Sequence, residues 1–387
     1  MAISIRSIET AVPSVEVKQG EIRDLFLAQP GRSRLAQRLI TASFDASAID
    51  TRHSVIDELD GSPRDLPGAG DSAPPVFYDA ESGLVLTPST GTRNAVYAAR
   101  CPELVLAAAR RAIEAAPGIT ADDVTHVVTV SCTGFYAPGP DFALVRDLGL
   151  SPRTQRFHLG FMGCYAAFPA LRAARSFCVS DPDAVVLVVC VELCSLHLRA
   201  SDDPDTIVAS SVFSDGAAAA VVSGRDVAGP PGAVLELDSF ETTITPVGEE
   251  DMAWTIGDLG FEMVLSRYVP AIIAEHIDSA LAPLFAGDPT LAGRPAGDVD
   301  LWAVHPGGRS ILDKVQHALT LTDAQLEPSR STLAEHGNMS SATVLFILRR
   351  LLHGSDPGGS SGAPRVCAMA FGPGLTVESA LLTLRRA

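Results

Sequence analysis

Leu159-Gly160-Phe161-Met162-Gly163-Cys164-Tyr165-Ala166-Ala167 opens a small-residue, apolar segment in which Ala166, Ala167, Leu171, Ala174 and Phe177 recur at helical spacing. A thiol two glycines into such an opening sits where a helix N-terminus, carrying roughly half a positive charge, favours thiolate over thiol. The plainer role for a single cysteine is that of a small buried hydrophobe. The neighbours of this stretch set the architecture. Before it come a buried strand within Asp122 to Cys132 (His126-Val127-Val128-Thr129-Val130), a Pro-Gly turn and a helix over Phe142 to Leu148. After it come a buried strand, Ala184 to Glu192, and another, Ala217 to Val222.

The same order returns from Asp298. Val299-Asp300-Leu301-Trp302-Ala303-Val304 reads as a strand, His305-Pro306-Gly307-Gly308 as a turn and Arg309 to Leu319 as a helix. Gly337-Asn338-Met339-Ser340-Ser341 then opens a helix to Leu352, followed by strands Arg365 to Phe371 and Leu375 to Leu384. Strands alternating with helices, with near-continuous apolar strands, predict an α/β fold whose parallel-rich sheet is covered on both faces. Two such runs in one chain predict a duplicated architecture. The halves are 1–228, carrying the cysteine, and 229–387, carrying His305 and Asn338, with the Pro/Gly stretch Val227 to Gly232 as the seam. Ala286 to Asp298 and Gly354 to Pro364 read as surface insertions.

Outside the repeat, Ile3 to Val12 reads as a strand stopped by Pro13, and Gln19 to Ile40 as one or two helices. The proline-dotted segment Asp57 to Arg93 reads as a surface connection, and Pro102 to Ala115 as a helix with proline at an early position.

Composition bounds the function. At 387 residues, 47% of them hydrophobic, the chain is long enough for two core-forming units. Its seven cysteines are an odd set without zinc-ligand spacing and lie largely in apolar strands, which predicts reduced thiols in a cytoplasm. A net charge of −17 argues against nucleic acid, whose phosphates need a basic face, and mildly against an acidic carrier protein as main acyl donor. The longest uninterrupted apolar run, Ala184 to Val191, is too short to span a bilayer and is ended by Glu192, and no signal peptide is expected.

Cys164, His305 and Asn338 each end a strand or open a helix in the duplicated plan. Singly, His305 could close a turn and Asn338 could cap a helix. Together they supply a nucleophile, a base able to pair with it and an amide donor for a developing oxyanion.

With these stretches, the sequence resembles the type III polyketide synthases, the chalcone-synthase-like branch of the thiolase superfamily. The matching motifs are Gly160-Phe161-Met162-Gly163-Cys164, Val212-Phe213-Ser214-Asp215-Gly216-Ala217-Ala218, Val304-His305-Pro306-Gly307-Gly308, Gly337-Asn338-Met339-Ser340-Ser341-Ala342 and Phe371-Gly372-Pro373-Gly374-Leu375-Thr376-Val377-Glu378. The resemblance implies a five-layered αβαβα thiolase fold, a homodimer, and catalysis on CoA thioesters without metal or prosthetic group. It implies that Cys164 takes a starter acyl group from an acyl-CoA. His305 would hold the sulfur as a thiolate and, with Asn338, stabilise the enolate formed when malonyl-CoA loses CO₂.

By the same resemblance Phe213 is a gatekeeper between the CoA tunnel and the acyl cavity, with Phe261 or Met263 as the second. Ser340 and the Gly372-Pro373-Gly374 loop shape the cavity, Ala370 stands where a glycine is usual, and Arg52 lies near the CoA phosphates. Cys132, Cys194 and His197 replace threonines of the plant enzymes, and Ala137 replaces a methionine sent across the dimer. The small residues Thr133, Ala137 and Cys194 resemble those of bacterial long-chain alkylpyrone synthases and imply a tunnel for a fatty acyl tail. Rival readings are a tetrahydroxynaphthalene-type synthase using malonyl-CoA alone, a β-ketoacyl carrier-protein synthase III-like enzyme, and a non-catalytic lipid-binding or scaffold relative.

Overall fold

The computed structural model describes residues 2–60, 74–225, 232–354 and 363–386. The first half runs β1 (Ser4–Ala11), β2 (Val15–Lys18), α1 (Gln19–Leu27), α2 (Arg34–Asp45), β3 (Thr51–Ser54), the short β4 (Tyr78–Asp79) and β5 (Leu84–Val85), and α3 (Thr90–Glu114). It continues with β6 (His126–Ser131), α4 (Pro140–Asp147), β7 (Gln155–Gly160), α5 (Ala167–Ser180), β8 (Val185–Leu193), α6 (Pro204–Val212) and β9 (Asp215–Ser223). The second half runs β10 (Val234–Ile244), the hairpin β11 (Met252–Gly257) and β12 (Gly260–Leu265), α7 (Val269–Ala286) and β13 (Leu301–Val304). It ends with α8 (Arg309–Leu319), α9 (Asp323–His336), α10 (Thr343–His353), β14 (Arg365–Gly372) and β15 (Thr376–Arg385).

Side-chain alternation explains why the central strands are apolar throughout. Along β8, Val186, Val188 and Cys190 face a core shared with α5 and α10, whereas Val185, Leu187, Val189 and Val191 face α3 on the other side. Along β14, Val366, Ala368 and Ala370 enter the shared core, while Cys367, Met369 and Phe371 meet α7, α8 and α9. The layers are therefore helix, sheet, paired central helices, sheet, helix, the expected αβαβα thiolase arrangement. Helices on both faces leave no position of the central strands β8 and β9 wet, so the period-2 polar signal is absent there.

The two half-sheets join through a short antiparallel β1–β10 contact into one sheet of order β13-β14-β15-β10-β1-β9-β8-β6-β7. Among the described strands only β13–β14, β6–β7 and β6–β8 pair in parallel. The parallel-rich expectation is thus corrected: β9 and β15 return antiparallel to β8 and β14. Burial on both faces, rather than strand direction, produced the apolar runs. In the second half α9 stands in the chain position that β7 holds in the first.

Three other expectations change. The helix expected from Pro102 begins at Thr90, where Ser89 accepts a hydrogen bond from Thr92 N, and continues through Pro102 as α3. The strand expected to stop at Glu192 continues through it to Leu193. α7 is long and apolar enough to cross a membrane by length and composition, which the sequence reading missed. Its Val269, Ile273, Ile277, Leu281 and Leu284 pack instead into the outer core of the second half. Most of the Val227–Gly232 seam, the boundary at 228/229 and most of the Gly354–Pro364 insertion lie outside the described residues. The register of β14 runs unbroken past Ala370.

Candidate active site

The turn between β7 and α5 holds Cys164. Phe161 and Gly163 both adopt positive φ, 62° and 85°, so the chain reverses sharply before the helix. The Gly163 requirement is also steric: a Cβ there would lie 2.2 Å from Pro373 Cδ. Gly372 is under the same constraint, since its Cβ would come within 2.5 Å of the Tyr165 ring. The Gly-Pro-Gly loop and the cysteine turn are thereby packed against each other. His305 follows β13 directly, its N–H donating to Met369 O of β14 at 2.8 Å. Asn338 is not a helix cap. It forms an isolated parallel bridge with Phe213, donating from its backbone N–H to Val212 O (2.8 Å) and accepting from Ser214 N–H (2.9 Å). Its Oδ1 accepts from Ser340 N–H at 2.8 Å.

These elements surround one largely apolar cavity of about 460 Å³. Cys164, His305, Asn338, Phe213, Met263, Cys132, Thr133, Cys194, Ser340 and Pro373 all line it. Of the seven cysteines only Cys164 is not buried. Enclosure pushes its thiol up to about 11, hydrogen bonds from the Ser340 and Asn338 side chains favour the thiolate, and the Glu192 carboxylate opposes it. His305 is fully buried, neither ring nitrogen has a partner among the described residues, and burial alone depresses it to about 3. The cavity therefore holds a thiol and a neutral imidazole. The helix terminus does not by itself yield the thiolate expected from the sequence, because desolvation outweighs it.

Glu192 was legible only as the end of an apolar run. It is fully buried on β8, accepting from Cys132 N–H (2.9 Å), Thr133 Oγ1 (3.0 Å) and the Ser341 hydroxyl. Burial raises it to about 7. As pH rises through that value the carboxylate forms and opposes ionisation of Cys164. Glu192→Gln is thus expected to lower the apparent thiol pKa and speed iodoacetamide alkylation of Cys164 at pH 8. An alkylation profile identical to that of the parent would remove the carboxylate from the electrostatics of the sulfur.

Several expected residues lie elsewhere. Arg52 is corrected outright: it is 2% exposed, donates to the carbonyls of Ser210 and Phe213, and stacks over Phe44, so it cannot meet a ligand phosphate. The cause is β2–β3 pairing, which turns it into the protein. Ala137, expected at a dimer interface, is solvent-exposed on the single chain and is not part of that chain's own cavity lining. Phe261 lies behind the wall, stacked on His197 with ring centroids 4.2 Å apart and packed against Phe135 and Phe161. His197 donates to Thr133 O (2.7 Å) and accepts from Phe261 N–H (3.0 Å). Of the two second-gatekeeper candidates, Met263 is the one on the cavity. Trp254, which the sequence reading passed over, lines both this cavity and a small void of about 30 Å³ behind it. Its indole N–H donates to Cys132 O at 3.0 Å.

Comparison with known proteins follows the same outline. The family of chalcone and stilbene synthases matches through its N-terminal domain over residues 79–226 and its C-terminal domain over 236–385. Bisdemethoxycurcumin synthase of Oryza sativa subsp. japonica is 37% identical over 317 residues, 80% of this chain and 77% of the relative. The alpha-pyrone synthesis polyketide synthase-like Pks18 of Mycobacterium tuberculosis is 31% identical over 99% of this chain and 91% of its own. Among solved structures, PKS-I from the brown alga Ectocarpus siliculosus superposes with a TM-score of 0.85 at 29% identity, covering 99% of this chain and 98% of the other.

Proposed function

The chain belongs to the chalcone and stilbene synthase family and is a type III polyketide synthase, and from that premise we propose that it extends an apolar, medium- to long-chain fatty acyl-CoA starter with malonyl-CoA and releases an alkylpyrone or alkylresorcinol. The observation that carries this reading is the convergence of Cys164, His305 and Asn338 on one mainly apolar cavity. The relative named for alpha-pyrone synthesis, which spans nearly the whole chain, supports the product class.

In this reading the Cys164 sulfur attacks the starter thioester carbonyl, its proton passes to His305, and free CoA leaves. Malonyl-CoA then enters with its thioester oxygen towards Asn338 Nδ2 and His305. Loss of CO₂ leaves an enolate whose oxygen these donors stabilise, and its carbon attacks the acyl-Cys164 thioester. The C–S bond to Cys164 breaks, the lengthened chain remains on CoA, and return to the cysteine allows the next round. His305 suits both steps because, among the described residues, no protein group occupies its ring nitrogens. Thiol, imidazole, carboxamide and the CoA thioesters themselves supply all the chemistry of this scheme.

Pairing of two copies is supported by β7, an edge strand with Gln155, Arg156, Phe157 and His158 exposed. The reducing cytoplasm suits its seven free thiols. Product mass spectra from malonyl-CoA with a panel of acyl-CoA starters, without carrier protein, test the function. Product from malonyl-CoA alone would replace it with a tetrahydroxynaphthalene-type activity, and dependence on carrier-bound malonate with a carrier-protein synthase.

Tail length depends on the back wall. Trp254, the largest of the side chains that line both the cavity and the void reached by His197 and Phe261, shares that wall with Cys194, Phe213 and Met263, and Trp254→Ala should join the two spaces. Each additional buried methylene contributes about 0.8 kcal/mol, roughly fourfold in kcat/KM. The preferred starter should therefore lengthen in a kcat/KM series over chain length. An unmoved optimum would place the limit elsewhere.

A further inference from the structure

Arg52 carries a buried charge that the chemistry above does not use. It lies on β3, turned inward by its pairing with β2, and among the described residues its Nε and Nη2 have no hydrogen-bond partner. Burial lowers its pKa to about 10, against the pull of the Asp215 charge. A cation so incompletely matched costs stability, and an apolar side chain of similar bulk would fill the space at lower cost.

What the guanidinium does hold is the end of α6. Its Nη1 donates to Ser210 O at 2.8 Å and to Phe213 O at 2.9 Å. The other closing carbonyls of that helix are taken by different partners: Ser211 O accepts from Gln19 Nε2 (2.7 Å) and Val212 O from Asn338 N–H (2.8 Å). The Arg52 stem also packs on the turn that precedes Asn338, since a Cβ on Gly337, whose φ is 68°, would lie 3.1 Å from Arg52 Cγ. With Ser214 N–H donating to Asn338 O at 2.9 Å, residues 212–214 are held between Arg52 on one side and Asn338 on the other. The Asn338 carboxamide has little else to fix it: Oδ1 accepts from Ser340 N–H, and Nδ2 reaches Gly307 O only at 3.5 Å.

We infer that Arg52 is a positioning residue, which sets the Asn338 carboxamide through the backbone of Val212 to Ser214 and so aims the donor that meets the Cys164 sulfur and the enolate oxygen. The enolate half of this role rests on the proposed condensation, whereas the sulfur half stands on the geometry alone.

Arg52→Met keeps the bulk and removes the donors. Because the Asn338 side chain favours the Cys164 thiolate, the pH midpoint of iodoacetamide alkylation at Cys164 reports where the carboxamide lies. That midpoint should rise by about 0.5 in Arg52→Met, a roughly threefold loss of thiolate below it. Malonyl-CoA decarboxylation should fall about tenfold or more, as expected when a donor is misplaced. On an Asn338→Ala background the same change should move the midpoint by less than about 0.1, because the two residues act through one carboxamide. Loss of a distant charge, or general loosening, would instead persist on that background. Arg52→Lys, which keeps the charge and a donor for the two carbonyls, should hold the midpoint within about 0.2 of the parent. Should Arg52→Met not fold, Arg52→Gln, able to donate to one of the carbonyls, carries the same comparison. An unmoved midpoint, or an equal rise with and without the Asn338 side chain, overturns the inference. A parent protein that decarboxylates no malonyl-CoA would end the synthase reading, while the midpoints still decide the role of Arg52.

Discussion

Cys164→Ala is expected to abolish chain extension, with product formation falling roughly four orders of magnitude or more, as when the nucleophile of a covalent mechanism is deleted. The reason lies in the inventory of thiols. Cys132 and Cys194 line the same cavity, but both are buried and held far towards the thiol form by desolvation and the Glu192 charge. Cys164 alone receives hydrogen bonds from both Ser340 and Asn338 that favour its thiolate. Neither neighbour can substitute for it. In the parent protein incubated with acyl-CoA, intact-mass spectrometry should show the starter acyl mass on the Cys164 peptide, and in the variant that adduct should vanish. An adduct of equal occupancy on the variant, or turnover within tenfold of the parent, would sink the assignment of Cys164 as nucleophile.

Asn338→Asp should be the next most damaging change. Its carboxylate still offers an acceptor to Ser340 N–H, so the local turn survives. What it loses is the Nδ2 donor, and it places an anion where the enolate oxygen would develop. Removing one such donor costs about 10²–10³ in kcat, near 3–4 kcal/mol, and an added like charge in a desolvated site deepens the loss. The decisive readout is CO₂ release from malonyl-CoA. Decarboxylation should fall with condensation, whereas formation of the acyl-Cys164 adduct from the starter should persist. The same variant should also raise the Cys164 pKa, because an amide donor to the thiolate has been exchanged for a negative charge. Decarboxylation at the parental rate would assign the enolate to other donors.

How far these residues could be seen in the chain varied with the range of the interactions concerned. The order of strands and helices in both halves was legible, because apolar runs and helical spacing are local signals. Arg309 to Leu319 matched its helix end for end. Sheet direction was not legible, since burial on both faces leaves the same apolar imprint on parallel and antiparallel strands. Pro102 misled for a related reason: a proline usually marks an early helix position, yet the packing of Val96, Tyr97 and Cys101 upstream carries α3 through it.

At the site, the sequence by itself determined the identities and order of Cys164, His305 and Asn338 and the glycines their turns require. These are properties of short motifs, set by chemistry and backbone geometry within a few residues. Only the tertiary structure decided that Arg52 is buried and turned onto the carbonyls of Ser210 and Phe213. It likewise decided that Trp254 bounds the cavity, and that Glu192 lies buried where its charge opposes the thiolate of Cys164. Burial, and with it the cost of charge, is summed over neighbours from distant parts of the chain, so it cannot be read from any one stretch.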